Sequence, residues 1–285
     1  MSRKSKTIFL LIVVIFLCIC FIYLGKKFTN QTPKQEGSTT MISNTPKPAI
    51  SSPSPSPSPT PMVFLTSIED FAAGDIIADD QIDSNHLDNY FTVSVIDDSL
   101  KARIYNKSYR ENDNITLDEL CYLKILHYNF DHQIQVGECI VNKEISEDCM
   151  DIFTELFRNE YEIQSMYLID EFWTGDGSST DTASMNANNS SAFCYRTIAG
   201  TSKLSNHALG FAIDINPYQN PYITYRDGVP VYYHNDAENY ADRTRAKPHM
   251  ITHDDLCYQL FIQHGFTWGG DWKNSKDYQH FEKNE

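Results

Sequence analysis

Ser205-Asn206-His207-Ala208-Leu209-Gly210-Phe211-Ala212-Ile213-Asp214 places a histidine and an aspartate seven residues apart, with a glycine between them. Gly210 permits a tight turn. The apolar run Phe211 to Ile215 predicts a short buried strand that carries Asp214 within it. A carboxylate in such a strand is costly to bury unless it is paired or bound to a metal. Near the C-terminus, Asp277-Tyr278-Gln279-His280 adds a second imidazole and a second carboxylate. His207, Asp214 and His280 then make three protein ligands, with one position open for water and Asp277 at hand as general base. That is the ligand set of a catalytic zinc site. Taken singly, His207 reads equally well as a turn residue and Asp214 as a loop cap; the ten-residue pattern as a whole favours metal.

The surroundings of His280 support the same reading. Trp268-Gly269-Gly270-Asp271-Trp272 predicts a packed wall where backbone approaches closely, rather than a frayed tail. The two tryptophans themselves read as core. His249 and His253 have i, i+4 spacing, but Pro248 disfavours a helix there and Thr252 reads as the N-cap of the next one, so they are not read as a ligand pair. His86, His127, His132, His234 and His264 lack partners at useful spacing.

Around these residues the sequence predicts mixed helices and strands. Thr116-Leu117-Asp118-Glu119 is a capping-box sequence, with a helix expected from it to about Tyr128. Gln133 to Val141 alternates as a strand. Cys149, Ile152, Phe153, Leu156 and Phe157 keep a helical stripe, with Ser146 as N-cap. Ile163 to Ile169 reads as a strand, and residues 174–191 as a long polar loop. A final helix is expected to start at Thr252 and to end at Gly265. Helices and strands do not alternate strictly, which favours an α+β fold with an antiparallel sheet and flanking helices.

The N-terminal part has a different composition. Ile8 to Leu24 is a run of 17 apolar residues. With Thr7 and Gly25 it would span ~28 Å as a helix, close to a bilayer's hydrocarbon thickness. Residues 7–25 therefore read as a transmembrane signal anchor, with residues 1–6 as a cytoplasmic tail. Arg3, Lys4 and Lys6 place the N-terminus inside. No small-x-small cleavage site follows the run, and bulky Leu17 and Ile19 precede Cys18 and Cys20 where a lipobox needs a small residue. Residues 26–62 read as a linker, since eight of the twelve prolines lie there and Pro53 to Pro61 alternate with Ser or Thr. Such a sequence favours extended polyproline II and would reach roughly 110 Å over residues 28–62.

Residues 63–285 have the composition of one globular domain outside the membrane. Five of the chain's 23 basic residues and none of its 38 acidic ones lie in residues 1–27, which leaves the exported part at 18 basic against 38 acidic, or −20. That excess argues against nucleic acid as a partner. Cys121, Cys139, Cys149, Cys194 and Cys257 fit no zinc-finger spacing and read as buried free thiols, with one disulfide open.

Ser-x-His-x-x-Gly-x-Ala-x-Asp at 205–214 with Asp-x-x-His at 277–280 resembles the zinc D-alanyl-D-alanine carboxypeptidase and L-alanyl-D-glutamate peptidase family. Phe193-Cys194-Tyr195-Arg196, Asp214-Ile215-Asn216-Pro217 and Gly265 to Trp272 carry the same likeness, which runs from about residue 83 and is strongest over 190–282. The resemblance implies the hedgehog-like metallopeptidase fold. It implies Zn²⁺ held by His207, Asp214 and His280, with Asp277 as base. Arg196 would polarise the scissile carbonyl, or else serve as a surface ion-pair partner. Ser205 would touch substrate or only brace the turn. The implied partners are peptidoglycan stem peptides, at a bacterial cell membrane reached through the N-terminal helix. The Asp-Ile-Asn-Pro continuation leans toward the L-alanyl-D-glutamate endopeptidase branch. A D-alanyl-D-alanine carboxypeptidase and a non-catalytic zinc-site wall-binding module remain the alternatives.

Overall fold

The computed structural model describes residues 63–198 and 200–284, all within one unit, Pro59–Glu285. The expected tail, anchor helix and linker at 1–6, 7–25 and 26–62 lie outside the described residues. Among the described residues, no helix is long and apolar enough to cross a membrane. Along the chain run β1 (Ile76–Ile77), β2 (Thr92–Val95), α1 (Asp98–Ile104), β3 (Leu120–Tyr128), β4 (Ile134–Asn142), α2 (Ser146–Arg158), α3 (Gly177–Asn186) and β5 (Ala212–Asp214). They are followed by β6 (Tyr222–Arg226), β7 (Val229–Tyr232), α4 (Glu238–Ala241), α5 (Leu256–Gln263), β8 (Thr267–Trp268), β9 (Lys276–Asp277) and β10 (His280–Glu282).

Three antiparallel sheets result, ordered β1-β4-β3-β2, β5-β10-β8 and β7-β6-β9. With the helices on their flanks, this is the expected α+β class. The first sheet is the platform. The stripe Cys149, Ile152, Phe153, Leu156 and Phe157 of α2 is buried in one core with Cys121, Leu123 and Ile125 of β3, Phe261 of α5 and Phe281 of β10. Each such side chain contributes ~1.5–3 kcal/mol on full burial, so the platform and the two strands carrying Asp214 and His280 share one source of stability.

Several local expectations are corrected. The capping box at Thr116 forms, but it opens only a single 3-10 turn, Leu117–Glu119, and the chain then becomes β3. The cause is burial on both faces: Cys121, Leu123 and Ile125 enter the main core while Leu120 joins a second cluster with Ile104, Ile140 and Phe193. A strand covered on both sides gives a near-continuous apolar run that periodicity does not separate from a helix. Residues 163–168 form no ladder, and Ile169 already opens a 3-10 turn, Ile169–Phe172; the segment docks through single bonds such as Glu138 N–H to the Met166 carbonyl at 2.9 Å. Ser146 is not an N-cap, because the 3-10 turn Lys143–Ile145 runs straight into α2; its hydroxyl instead donates to the Lys143 carbonyl at 2.8 Å. The stretch 174–191 is not all loop: Asp176 accepts from the backbone of Ser178 and Ser179 and starts α3. The last helix is capped by Asp255, not Thr252, and Gly265 at φ 82° lies just past its end. All five cysteines are buried and free.

Candidate metal centre

The turn that carries His207 is fixed from both ends. Ser205 accepts a hydrogen bond from the His207 backbone at 3.3 Å and starts the 3-10 turn Asn206–Leu209. Gly210 closes it at φ 77°. A Cβ on Gly210 would sit 2.5 Å from the backbone nitrogen of Asn142, at the end of β4. Asn142 also donates from its backbone to the Gly210 carbonyl at 2.9 Å and from its side chain to the Leu209 carbonyl at 3.1 Å. The turn is thereby pinned to the platform.

Asp214 ends β5 and is the cross-strand partner of His280 on β10. Three buried donors converge there. His280 Nδ1 lies 3.0 Å from Asp214 Oδ1 and 3.1 Å from His207 Nε2, and His207 Nε2 lies 3.3 Å from Asp214 Oδ2. His207, Asp214 and His280 are the one cluster of this kind among the described residues. Ligands 2.0–2.2 Å from a tetrahedral ion stand roughly 3.3 Å apart, so these separations fit a zinc-sized cation with little movement. Both ring orientations suit ligation. His207 Nδ1 faces the Ala192 carbonyl at 2.5 Å and must donate to it, which directs Nε2 inward. His280 Nε2 faces Glu282 Oε2 at 3.1 Å, which directs Nδ1 inward. Asn206 holds Glu282 from its amide at 2.6 Å. Partners of this type fix tautomer and orientation in metal sites.

The electrostatics agree with a cation site. Burial alone would raise Asp214, but the two imidazoles hold its carboxyl far below the usual carboxylate range. Burial alone would lower His280, but hydrogen bonds with Asp214 and Glu282 push it up to about 10. This pocket already favours positive charge.

Asp277 lies on β9, buried, and its Oδ1 has no hydrogen-bond partner. Burial, together with the negative charges of Asp214 and Asp181, pushes it up to about 8 against the opposing influence of His280. A nearby dication would draw it back down. The Trp-Gly-Gly wall explains its position. Cβ atoms on Gly269 and Gly270 would meet Asp277 and the Trp268 ring at 2.6 and 2.4 Å respectively. Trp268 is core, as expected, whereas Trp272 stands at the cleft with its ring 5.2 Å from His280.

These groups line a cleft of about 530 Å³. Arg196 and Ser205 also line it, so every candidate site residue meets in one place. Arg196 is held by Asp181 of α3 at 2.8 Å, and Asp181 keeps its guanidinium charged against the cost of burial. Tyr222 and Tyr233 stack at 4.7 Å on another wall. His249 instead stacks on Phe130 at 3.7 Å, and His253 bonds Asp271 at 2.8 Å. Glu282, Asp181 and Gln279 are cleft residues that the sequence reading passed over. Glu282 alone left a signal: it stands two residues from His280, hence on the same face of a strand.

Residues 199–283 match the model of the D-alanyl-D-alanine carboxypeptidase family. The match takes in His207, Asp214, Asp277 and His280; Arg196 lies just before it. It bears out, for this segment, the resemblance carried by the two motifs, and it supports a peptidase acting on cell-wall peptides. No curated protein and no solved structure gives a significant match to the chain.

Proposed function

We propose, with that family match as premise, that this chain is a zinc-dependent peptidase that hydrolyses peptidoglycan stem peptides. The observation that carries the reading is the convergence of His207, Asp214 and His280 within 3.0–3.3 Å beside a buried, unpartnered Asp277 carboxylate oxygen. Zinc, when bound, supplies a Lewis acid that polarises a carbonyl and acidifies a water. His207, Asp214 and His280 are its ligands. Asp277 takes the attacking water's proton at Oδ1 and passes it to the leaving amine. Arg196, oriented by Asp181, brings fixed positive charge to the cleft and stabilises the oxyanion as it develops. Ser205 braces the His207 turn.

The bond cut is the L-alanyl-D-glutamate bond, making the chain an endopeptidase. A carboxypeptidase must neutralise a terminal carboxylate close to the scissile bond. The cations lining the cleft are Arg196, already committed to Asp181, and Lys203, which is exposed. The family's own description favours the second reading, a D-alanyl-D-alanine carboxypeptidase. Synthetic pentapeptides and purified peptidoglycan, incubated with and without chelator and followed by mass analysis, separate the two. Chelator-sensitive scission after L-Ala supports the endopeptidase; release of free D-Ala alone supports the carboxypeptidase. Cleavage of neither bond by zinc-loaded protein leaves a wall-binding module.

Anchoring follows from the sequence of residues 7–25 and 26–62. The chain sits in a bacterial cell membrane as a single-pass protein, N-terminus inside, with the domain carried outward on the linker. Protease added to intact wall-stripped cells then releases a soluble, active fragment. Full protection of the domain would invert the topology.

A further inference from the structure

Beside the metal cleft lies a second cavity of about 330 Å³, whose wall includes Lys107, Arg110, Trp173, Asp176 and Tyr195. It is contiguous with the cleft, because Ser178 and Arg196 line both. Gly177 keeps the partition thin: a Cβ there would come within 2.9 Å of the Arg196 Cβ. The cavity's charge is opposite to that of the molecule. Lys107, Arg110 and Arg196 face one carboxylate, Asp176, in a domain that carries an excess of acids. Asp176 is occupied in capping α3, where it accepts from the backbone of Ser178 and Ser179 at 3.0 Å. Arg196 is committed to Asp181. Lys107 and Arg110 form no ion pair among the described residues. The Arg110 guanidinium instead lies over the Tyr195 ring at 5.2 Å from its centroid. Two uncommitted cations are thus gathered, with aromatic side chains, at one end of an otherwise acidic cleft.

We propose that this cavity is a distal subsite of the peptidase, in which Lys107 and Arg110 bind a free carboxylate of the substrate peptide away from the scissile bond. The proposal rests on the peptidase reading of the cleft and names a feature of its substrate: an acidic peptide, not an amidated one. Lys107 is half-buried and offers a point charge, while Arg110 is exposed and can meet a carboxylate with two parallel N–H groups. The stacking of Arg110 on Tyr195 restricts the side chain before substrate arrives. A charged carboxylate is hydrated in solution and gains here only where its amide cannot, so the subsite acts as a discriminator more than as a source of raw affinity.

The test uses the full-length chain and two stem peptides that differ only in one side carboxylate, free in one and amidated in the other. Binding is read by fluorescence anisotropy on Asp277→Asn protein, and cleavage on wild type. The expected result is about 10-fold tighter binding of the acid form. That ratio should fall to near one in Lys107→Gln/Arg110→Gln. A preference that survives the double substitution overturns the subsite, and so does equal binding of both peptides by the parent. If the preference is present and depends on the two cations but neither peptide is cut, the peptidase reading fails while the subsite stands. If both are cut at equal KM, the peptidase stands and the subsite fails. Salt-sensitive capture of polyglycerol phosphate through the same two residues, without any peptide preference, would assign them to a wall polymer and also overturn the proposal.

Discussion

Gly269 lies directly against Asp277: a Cβ on the glycine would stand 2.6 Å from the Asp277 carbonyl oxygen and 2.8 Å from its Cβ. Both contacts are far inside van der Waals range, and the first is to backbone, which cannot rotate away. Gly269→Ala should therefore move the proposed base, and the same Cβ would press more lightly on His280, 3.2 Å from its Cβ. We expect a destabilisation of about 1–3 kcal/mol, and a loss of turnover on the order of 10²-fold from a shift of about 1 Å. Zinc content should stay at one per chain. Unchanged kcat with normal melting would show that the wall yields freely.

His207→Ala and His280→Ala should each abolish stoichiometric zinc, because no other His, Cys or carboxylate cluster of this kind exists among the described residues. Elemental analysis of dialysed protein decides it. Undiminished zinc in both variants would remove the site from these residues.

Glu282→Gln tests the support behind His280. The carboxylate lies 3.1 Å from His280 Nε2 and is itself held by Asn206. The amide keeps the shape and loses the charge. Zinc affinity should fall about 10- to 100-fold, measured by competition with a chromogenic chelator, with the fold intact by circular dichroism. An unaltered affinity would make Glu282 a bystander.

Asp277→Asn should keep the metal and lose about 10² to 10⁴ in turnover, since an amide cannot accept the water's proton. Near-normal hydrolysis by zinc-loaded variant would take Asp277 out of the chemistry.

The platform has its own acid sensitivity. Arg103 holds the buried Glu138 through both oxygens at 2.6 and 2.8 Å, and Tyr122 donates to it at 2.8 Å. Burial alone would raise Glu138, but these bonds outweigh it and hold the carboxyl below its ordinary value. A depressed carboxylate stabilises the fold above the unfolded pKa of about 4.3 and loses that contribution as pH falls through the lower folded value. Glu138→Gln should cost about 1–3 kcal/mol near neutral pH, because Arg103 loses its main partner but is partly exposed and keeps Glu171 at 3.0 Å. It should also flatten the fall in stability below about pH 4.3. Denaturant titrations of both proteins across that range would show it; parallel curves would contradict it.

The candidate metal centre was legible as a cluster because its residues are concentrated in short motifs. His207 and Asp214 sit on one turn-strand unit, and Asp277 and His280 lie on β9 and β10, consecutive along the chain. The Gly pair was legible for its close approach, and the stripe of α2 for its period. What the sequence hid depends on long-range contact. Leu120 to Tyr128 is apolar toward two cores at once, so its local pattern fits helix and strand alike. The helix α3 is built from Ser, Thr, Asp and Ala with almost no apolar face. Its hold comes from hydrogen bonds such as Thr174 N–H to the Thr180 hydroxyl at 3.0 Å, which leave no periodic trace. Asp181 inherits that invisibility, and with it the reason Arg196 is held at the cleft rather than at the surface.

The β7-β6-β9 sheet limits how this cleft could be re-engineered. The excursion between β5 and α5 brings Tyr222 and Tyr233 to the cleft, which invites treating it as an exchangeable specificity cassette. Yet Tyr222 is the ladder partner of Asp277, and Tyr278 N–H donates to the Pro221 carbonyl at 3.3 Å. The segment that shapes the substrate wall is also half of the mount for the proposed base. A transplanted loop must reproduce the Pro221–Ile223 backbone register before its side chains matter, so swaps confined to the hairpin tip at 226–229 are the ones that leave the chemistry in alignment.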